Sequence, residues 1–585
     1  MQVRACTPRF PSQKIAFSLA AGLITLPALA GTPAALDHVP TDAQAVIVVP
    51  NLGNLLNDIN AVNTLLGDDG EPMIMMVTSM IRGMPGINLE GSLAGVLSFN
   101  PEDMEAEPEV VLLLPVTDFG AFAEGHQAQD GVFGWDMGGE MLYFRDAGDG
   151  YAVFGDDSGL VSDFNAAAGN LDSNAALLGK AGGRIAESND IFVYVNFGAF
   201  EEVIAQGMEE MEAQGEMVEM MGGAEAAAGF DAMLGMIQTV VNDGASFSMG
   251  MSFDQTAGIS YDLGLQFKDD STSASYLQND GDAGKYFDNM PAMDYFFASA
   301  FDMSGDGIQK LFNEYFDMMA KMDTSGMFDA MGIKGMLEGM NGGIQVMGAS
   351  DNIMGGLFSK TMYYMDVEDG DKLIEATQSM YANMGASMAQ LEEVGVKINA
   401  AMDEKPTSIN GVDAYGYSFA MDMSGISDMA AGMGGPNPAM ILGMIFGADG
   451  GPSGYMAKAG DGVISTFSKD AEFFAQVADA ANGKNTMKGN ASIAQTAAML
   501  PDNRISETYF AADHLINTAG PMLMMFGVIP EFEPMDALAP IGMGLTADGG
   551  GVLFRLAIPM QTIGAVMEMI PAEAFEDEDD DDMDF

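Results

Sequence analysis

The side chains with which this 585-residue chain could do chemistry are 54 methionines, three histidines and 85 carboxylates, beside a single cysteine. Borderline metals such as zinc want clustered imidazoles and thiolates. His38, His126 and His514 are far apart in sequence and Cys6 has no second thiol, so surface or packing roles are expected of the histidines and no metal centre is predicted. Nucleophile elbows fare no better: Gly91-Ser92-Leu93-Ala94-Gly95 has the wrong spacing to lift a serine onto a strand-helix corner. Gly542-Met543-Gly544 lacks the third glycine of a dinucleotide fingerprint. Asp366, Asp369 and Asp371 miss the register of a calcium loop. Carboxylate pairs for glycoside cleavage arise by chance among so many acids, so no catalytic residue and no cofactor is predicted.

Methionine is the abnormal feature. Met208, Met211, Met217, Met220 and Met221 form one cluster, and Met318, Met319 and Met322, continuing to Met327, Met331, Met336 and Met340, form another. Glu209-Glu210-Met211-Glu212 has the look of an amphipathic helix with its Met face buried. Thioethers are adaptable hydrophobes that fill irregular cores and line apolar grooves, and they are also soft ligands suited to Cu(I). Three readings follow: core filling, a groove for a hydrophobic ligand or protein partner, and copper sequestration.

These clusters have to be positioned by a chain large enough for two to four folded units at ~150 residues each. Its 48% hydrophobic content can fill cores. The net charge of −63 repels phosphate backbones and anionic headgroups, which excludes nucleic acid as a partner. Arg4, Arg9 and Lys14 precede an apolar run from Ile15 to Leu26 and the small-residue site Ala28-Leu29-Ala30. That is a secretory signal over residues 1–30, and it places the protein in the periplasm or the medium. The longest later apolar runs, around Ala439 to Ala448 and Met522 to Pro530, are short and broken by Gly or Pro, so no transmembrane anchor is predicted. The acidic run within residues 573–585 reads as a disordered solvated tail.

The chain also repeats itself. Ala147-Gly148-Asp149-Gly150 recurs as Ala459-Gly460-Asp461-Gly462, and Asp157 and Leu160 after the first turn fall on Asp470 and Phe473 after the second. Each copy leads into a strand, Asp190 to Val195 and Ser506 to Phe510, and each closes with an alternating hairpin. The first hairpin carries Phe247, Met249, Met251 and Phe253, then Ile259, Tyr261, Leu263, Leu265 and Phe267; the second carries Ile541, Met543 and Leu545, then Val552, Phe554, Leu556 and Ile558. Period-2 alternation predicts a sheet with these apolar residues on one buried face. The copies open alike, with Val39-Pro40-Thr41-Asp42 before the strand Ala45 to Val49 and Met290-Pro291 before Tyr295 to Ala298. Leu52, Leu55, Leu56, Ile59 and Val62 then continue at helical spacing, as do Ile308, Leu311, Phe312, Tyr315 and Phe316. The expected architecture is α+β: two homologous halves, residues 31–285 and 286–572, of mostly antiparallel sheets with helices packed on one face and Met-rich helical inserts.

The repeated Pro and acid before an apolar strand and helix, the Asp-Gly turn, and Leu500-Pro501-Asp502 together resemble an exported bacterial family of unknown function built from duplicated units. That resemblance implies an exported, duplicated, non-enzymatic protein. The expected function is a non-catalytic binding or scaffold protein of the envelope, using a Met-rich apolar helical surface at Met208, Met211, Met217, Met220, Met221, Met318, Met319 and Met322. An envelope enzyme is the alternative, marked by acids converging on His126 or His514 in a cleft.

Two outcomes are expected. Intact-mass analysis of exported material finds a chain beginning at Gly31, and a retained Met1 overturns the signal assignment. Self-repulsion of like charge is screened by salt, with a Debye length falling from roughly 30 Å at 0.01 M to roughly 3 Å at 1 M. The melting temperature therefore rises over that range; a flat response means that repulsion does not limit stability.

Overall fold

A computed structural model of the chain describes residues 31–65, 72–100, 106–137, 139–322, 339–350, 356–387, 397–422, 443, 451–525 and 531–569. Residues 1–30, the acidic run after 569, Met327, Met331, Met336 and most of 421–451 lie outside the described residues. The fold is α+β, with antiparallel sheet throughout. Its contacts divide the chain into two units, Met1–Gly207 with Gly244–Phe267, and Met208–Asp243 with Lys268–Phe585.

The first unit has ten strands: β1 (Ala45–Val49), β2 (Leu93–Ser98), β3 (Glu109–Pro115), β4 (Gln127–Gln129), β5 (Val132–Met137), β6 (Glu140–Gly148), β7 (Tyr151–Gly155), β8 (Ile191–Asn196), β9 (Gly244–Asp254) and β10 (Gly258–Phe267). They pair in the order β4, β5, β6, β7, β3, β2, β1, β8, β9, β10. Between them run α1 (Leu52–Leu65), α2 (Pro72–Gly83), α3 (Phe119–Phe122), α4 (Ser158–Asp163), α5 (Leu171–Ser188) and the long α6 (Glu201–Asp243), whose residues from Met208 onward count with the second unit.

The second unit continues with α7 (Thr272–Tyr276), β11 (Tyr295–Asp302), α8 (Asp306–Met322), β12 (Met340–Gly348), β13 (Lys360–Val367), α9 (Gly370–Ser387), β14 (Lys397–Met402), β15 (Thr407–Ile409) and β16 (Val412–Asp422). Then come β17 (Ser453–Ala459), β18 (Gly462–Thr466), α10 (Ala471–Ala481), α11 (Ala491–Ala497), β19 (Arg504–Phe510), α12 (Ala512–Met525), β20 (Ile541–Asp548), β21 (Gly551–Pro559) and α13 (Met560–Met569). Pairing follows the order β15, β16, β17, β18, β13, β12, β11, β19, β20, β21, with β14 alongside β15 on the other stretch of β16. With β14 set aside, this is the strand order of the first unit. The turn from β6 to β7 uses positive φ at Gly148, Asp149 and Gly150, and Gly460 does so between β17 and β18, where glycine avoids the Cβ penalty. After each turn an aspartate caps the next helix. Asp157 accepts from the amides of Gly159 and Leu160 at 2.8 and 2.9 Å, and Asp470 from those of Glu472 and Phe473 at 2.8 and 3.2 Å.

The closing hairpins exist as the alternation predicts, but their faces are inverted. Buried against α5 are Ser246, Ser248, Gly250, Ser260, Asp262, Gly264 and Gln266; Met249 and Tyr261 are 37% and 38% exposed, and Phe247, Met251, Ile259, Leu263 and Leu265 are half-buried. Only Phe253 and Phe267 of the apolar set are buried. The cause is the close approach of α5. A Cβ on Gly250 would lie 2.6 Å from Ile185 Cγ2, and one on Gly264 2.8 Å from Ile185 Cδ1. Only small or hydrogen-bonded side chains fit there: the Ser246 hydroxyl donates to the Leu177 carbonyl at 2.7 Å and the Asn189 amide to Asp262 at 2.6 Å. The second hairpin does the same. Gly542 is buried beside α11, where a Cβ on it would meet Thr496 at 2.5 Å, and Gly544 is buried beside Leu500, Pro501 and Arg504, while Ile541, Met543, Leu545, Val552, Phe554, Leu556 and Ile558 are half-buried on the other face.

A buried acid breaks the pattern. Asp58 of α1 is wholly buried, and among the described residues neither carboxylate oxygen has a hydrogen-bond partner. Burial, reinforced by Asp190 and Asp254, pushes its carboxyl up to about 8. Asp190, which accepts from the Phe253 amide at 3.0 Å, is itself raised by burial to about 6. A folded-state value above the unfolded one means that the native chain binds the extra proton, so stability falls as pH rises from about 4 to about 8. Asp58→Asn removes that titration. The expected result is a melting-temperature advantage for the variant that grows by a few degrees between pH 4 and 8; a difference independent of pH overturns the assignment.

Candidate functional site

A concave feature lined by functional side chains lies in the first unit, where α2 ends. The turn Met84-Pro85 follows α2 and leads into Gly86, at φ +77°, where a Cβ would lie 2.3 Å from the Asp118 carbonyl. That close approach is held by the amide of Thr117, which donates to the Gly86 carbonyl at 2.7 Å, and it brings α3 against the end of α2. Asp118 caps α3 by accepting from the Ala121 amide at 3.1 Å. Gly125, at φ +90°, then turns the chain so that Glu124 and His126 reach the same cleft.

The cleft is a half-open cavity of about 520 Å³. It is lined by Ser79, Met80 and Gly83 of α2, by Met84 and Pro85, by Ala121 and Phe122 of α3, by Glu124 and His126, and by Trp135 of β5. Beneath it is an aromatic cluster centred on Phe144, fully buried. Phe122 meets Phe144 edge-on at 5.1 Å, Phe133 and Phe154 stack on Phe144 at 5.3 and 5.6 Å, and Trp135 meets Phe122 at 6.4 Å and Phe154 at 6.0 Å. Contacts of this kind add ~0.5–1.5 kcal/mol each beyond area burial, so the cavity floor is rigid. The His126 ring packs 5.3 Å from both Trp135 and Phe144. Ser79 is already engaged, donating to the Met75 carbonyl at 2.7 Å. Glu124 is the one carboxylate among the described lining residues.

The other histidines serve elsewhere. His38 is buried, packs tilted with its ring 4.7 Å from that of Tyr151, and donates from Nδ1 to the Ala166 carbonyl at 2.9 Å. His514 lies beside Tyr295 in the second unit, its Nε2 3.8 Å from Asp513. Among the described residues there is no group of three or more His, Cys, Asp or Glu placed to hold a metal ion.

The Met clusters named from the sequence do not share one buried face. Met208 of α6 is buried and Met211 half-buried, whereas Met217 and Met220 are 59% and 84% exposed. The helix explains this: at 3.6 residues per turn, Met217 lies about 180° around the axis from Met208 and Met220 about 120°. Met318 of α8 is half-buried, and the side chains of Met221, Met319 and Met322 lie outside the described residues. Along α8, Ile308 is buried but Leu311, Phe312 and Tyr315 are 41%, 39% and 45% exposed. Met80 of α2 and Met84 just after it line the cavity, and Met75 and Met76 of α2 are exposed at 56% and 67%. The sequence signal for them was the run Met73 to Met84, a third Met-rich stretch. Neither family models, curated proteins nor solved structures contain a match to this chain.

Proposed function

We propose that the protein is an exported, non-catalytic binding protein built from two duplicated α+β halves, and that it takes a hydrophobic ligand on a Met-bearing helical surface, in the cavity beside α2. The observation that carries this reading is the cavity itself: Met80, Met84, Pro85, Phe122 and Trp135 form its apolar walls, and three polar side chains punctuate them. Ligand sites have this make-up, concave and mostly apolar with a few placed polar groups. Two flexible thioethers beside rigid aromatic rings suit a ligand that is recognised by its apolar surface. Support for duplication comes from the common strand order and from the paired caps Asp157 and Asp470.

Gly83 gives a direct test. It lines the cavity, and a Cβ built on it meets nothing within 4 Å, so Gly83→Phe fills the mouth without strain in the fold. A neutral apolar dye bound by the natural chain is expected to lose about tenfold or more in affinity in the variant, because each methylene-sized group denied an apolar wall forfeits ~0.8 kcal/mol. Unchanged dye affinity places the binding surface elsewhere and overturns the reading.

A further inference from the structure

We propose that the ligand of this cavity is a lipophilic organic cation, an aryl or short alkyl group carrying a substituted ammonium. The inference rests on the cavity being a ligand site and names the class of molecule that it takes. Three features converge. First, the walls supply an indole, Trp135, and a phenyl ring, Phe122, set edge to face; aromatic faces attract cations through the ring quadrupole, indole most strongly. Second, the charged side chain among the described lining residues is Glu124, an exposed carboxylate with no hydrogen-bond or ion-pair partner among the described residues. No lysine or arginine is among the lining residues described, and the Arg82 guanidinium, one residue before Gly83, donates to the Asn57 side chain at 2.6 Å. Third, the whole chain carries −63, a field that concentrates cations at the surface and repels carboxylates, sulfates and phosphates of the same lipophilicity. A neutral apolar molecule would fill the same walls but leave the carboxylate without a counter-charge, and an anion would meet both the carboxylate and the field.

The single tryptophan of the sequence is the one in the cavity wall, so its fluorescence reports occupancy without a label. Three probes of one shape separate the terms: 4-phenylbutyltrimethylammonium, 4-phenylbutanol and 4-phenylbutyrate, each titrated into the full chain at low salt and at 1 M salt. The expected order is cation, then alcohol, then carboxylate. The cation should bind about tenfold tighter than the alcohol, with that advantage shrinking at 1 M salt as the field is screened. Glu124→Gln should abolish most of the advantage while leaving 4-phenylbutanol affinity as it was, and since Glu124 is exposed the fold should survive, which circular dichroism checks. If cation and alcohol bind equally in both forms, or if the carboxylate binds best, the charge selectivity is wrong while the apolar site stands. If none of the three changes Trp135 emission at either salt, the cavity is not a ligand site and both readings fall.

Discussion

The close seating of helices on the closing hairpins of both sheets is the constraint from which most of the structure follows. α5 approaches β9 and β10 so nearly that Gly250 and Gly264 leave no room for a methyl group, and α11 makes the same demand of Gly542. Glycine costs backbone entropy in a strand, and this approach is what it secures here. Polar residues are admitted on the tight face only where they find partners, as Ser246 and Asp262 do. Gln266 even reaches into a break in α5 at Gly179, where its carbonyl oxygen accepts from the Ala181 amide at 3.3 Å. Large apolar residues are thereby sent to the opposite face. In the first unit Ile47, Val193, Met249 and Leu263 fall in one cross-strand row there.

The two units keep a common geometry while fastening it with different chemistry. In the first, the short 3₁₀ turn Ala34–Asp37 is tied mainly to backbone groups: Asn174 donates to the Leu36 and Val39 carbonyls at 2.8 and 3.0 Å, Ser92 accepts from the Ala35 amide at 2.8 Å, and the Asp37 carboxylate accepts from the Gly169 and Leu171 amides at 2.9 and 3.1 Å. In the second, the 3₁₀ turn Ala283–Asn289 is tied by charge, through Lys285 to the buried Asp302 at 2.9 Å and Tyr286 to Asp366 at 3.0 Å. A second buried pair, Arg504 with Glu507 at 2.7 Å, lies on β19, and the Tyr509 hydroxyl also donates to Glu507. Carboxylates held in this way are desolvated but compensated, in contrast to Asp58, which has no hydrogen-bond partner among the described residues.

Much of the sheet was legible in the sequence because alternation and turn chemistry are local properties. The strands at Ala45, Tyr295 and Ile191, both hairpins and the two Gly-Asp turns stand where period and glycine put them. Which face of a hairpin is buried was not legible, because it depends on how near a helix lies, and that helix is about 60 residues away in the chain for β9. Which methionines share a face was not legible for a related reason. Counting methionines finds a stretch, but the helical angle between Met208 and Met217 decides whether they face one way. The cavity depends on residues from α2, α3 and β5 that meet only through the turn at Gly86, and no spacing rule links Met80 to Trp135.

The strand order has a consequence for how the chain must be completed. β1 is flanked by β2 and by β8, so residues 45–49 acquire their second neighbour only after Asn196 has been made. β11 waits longer, since residues 297–301 pair with β19, beyond Arg504. Each central strand thus spends the synthesis of some 150 to 200 further residues with one edge open, in the regime where non-local pairing is slow and unpaired edges invite association with other chains. The order of the sheet makes the last-made third of each unit the part that seals its oldest strand.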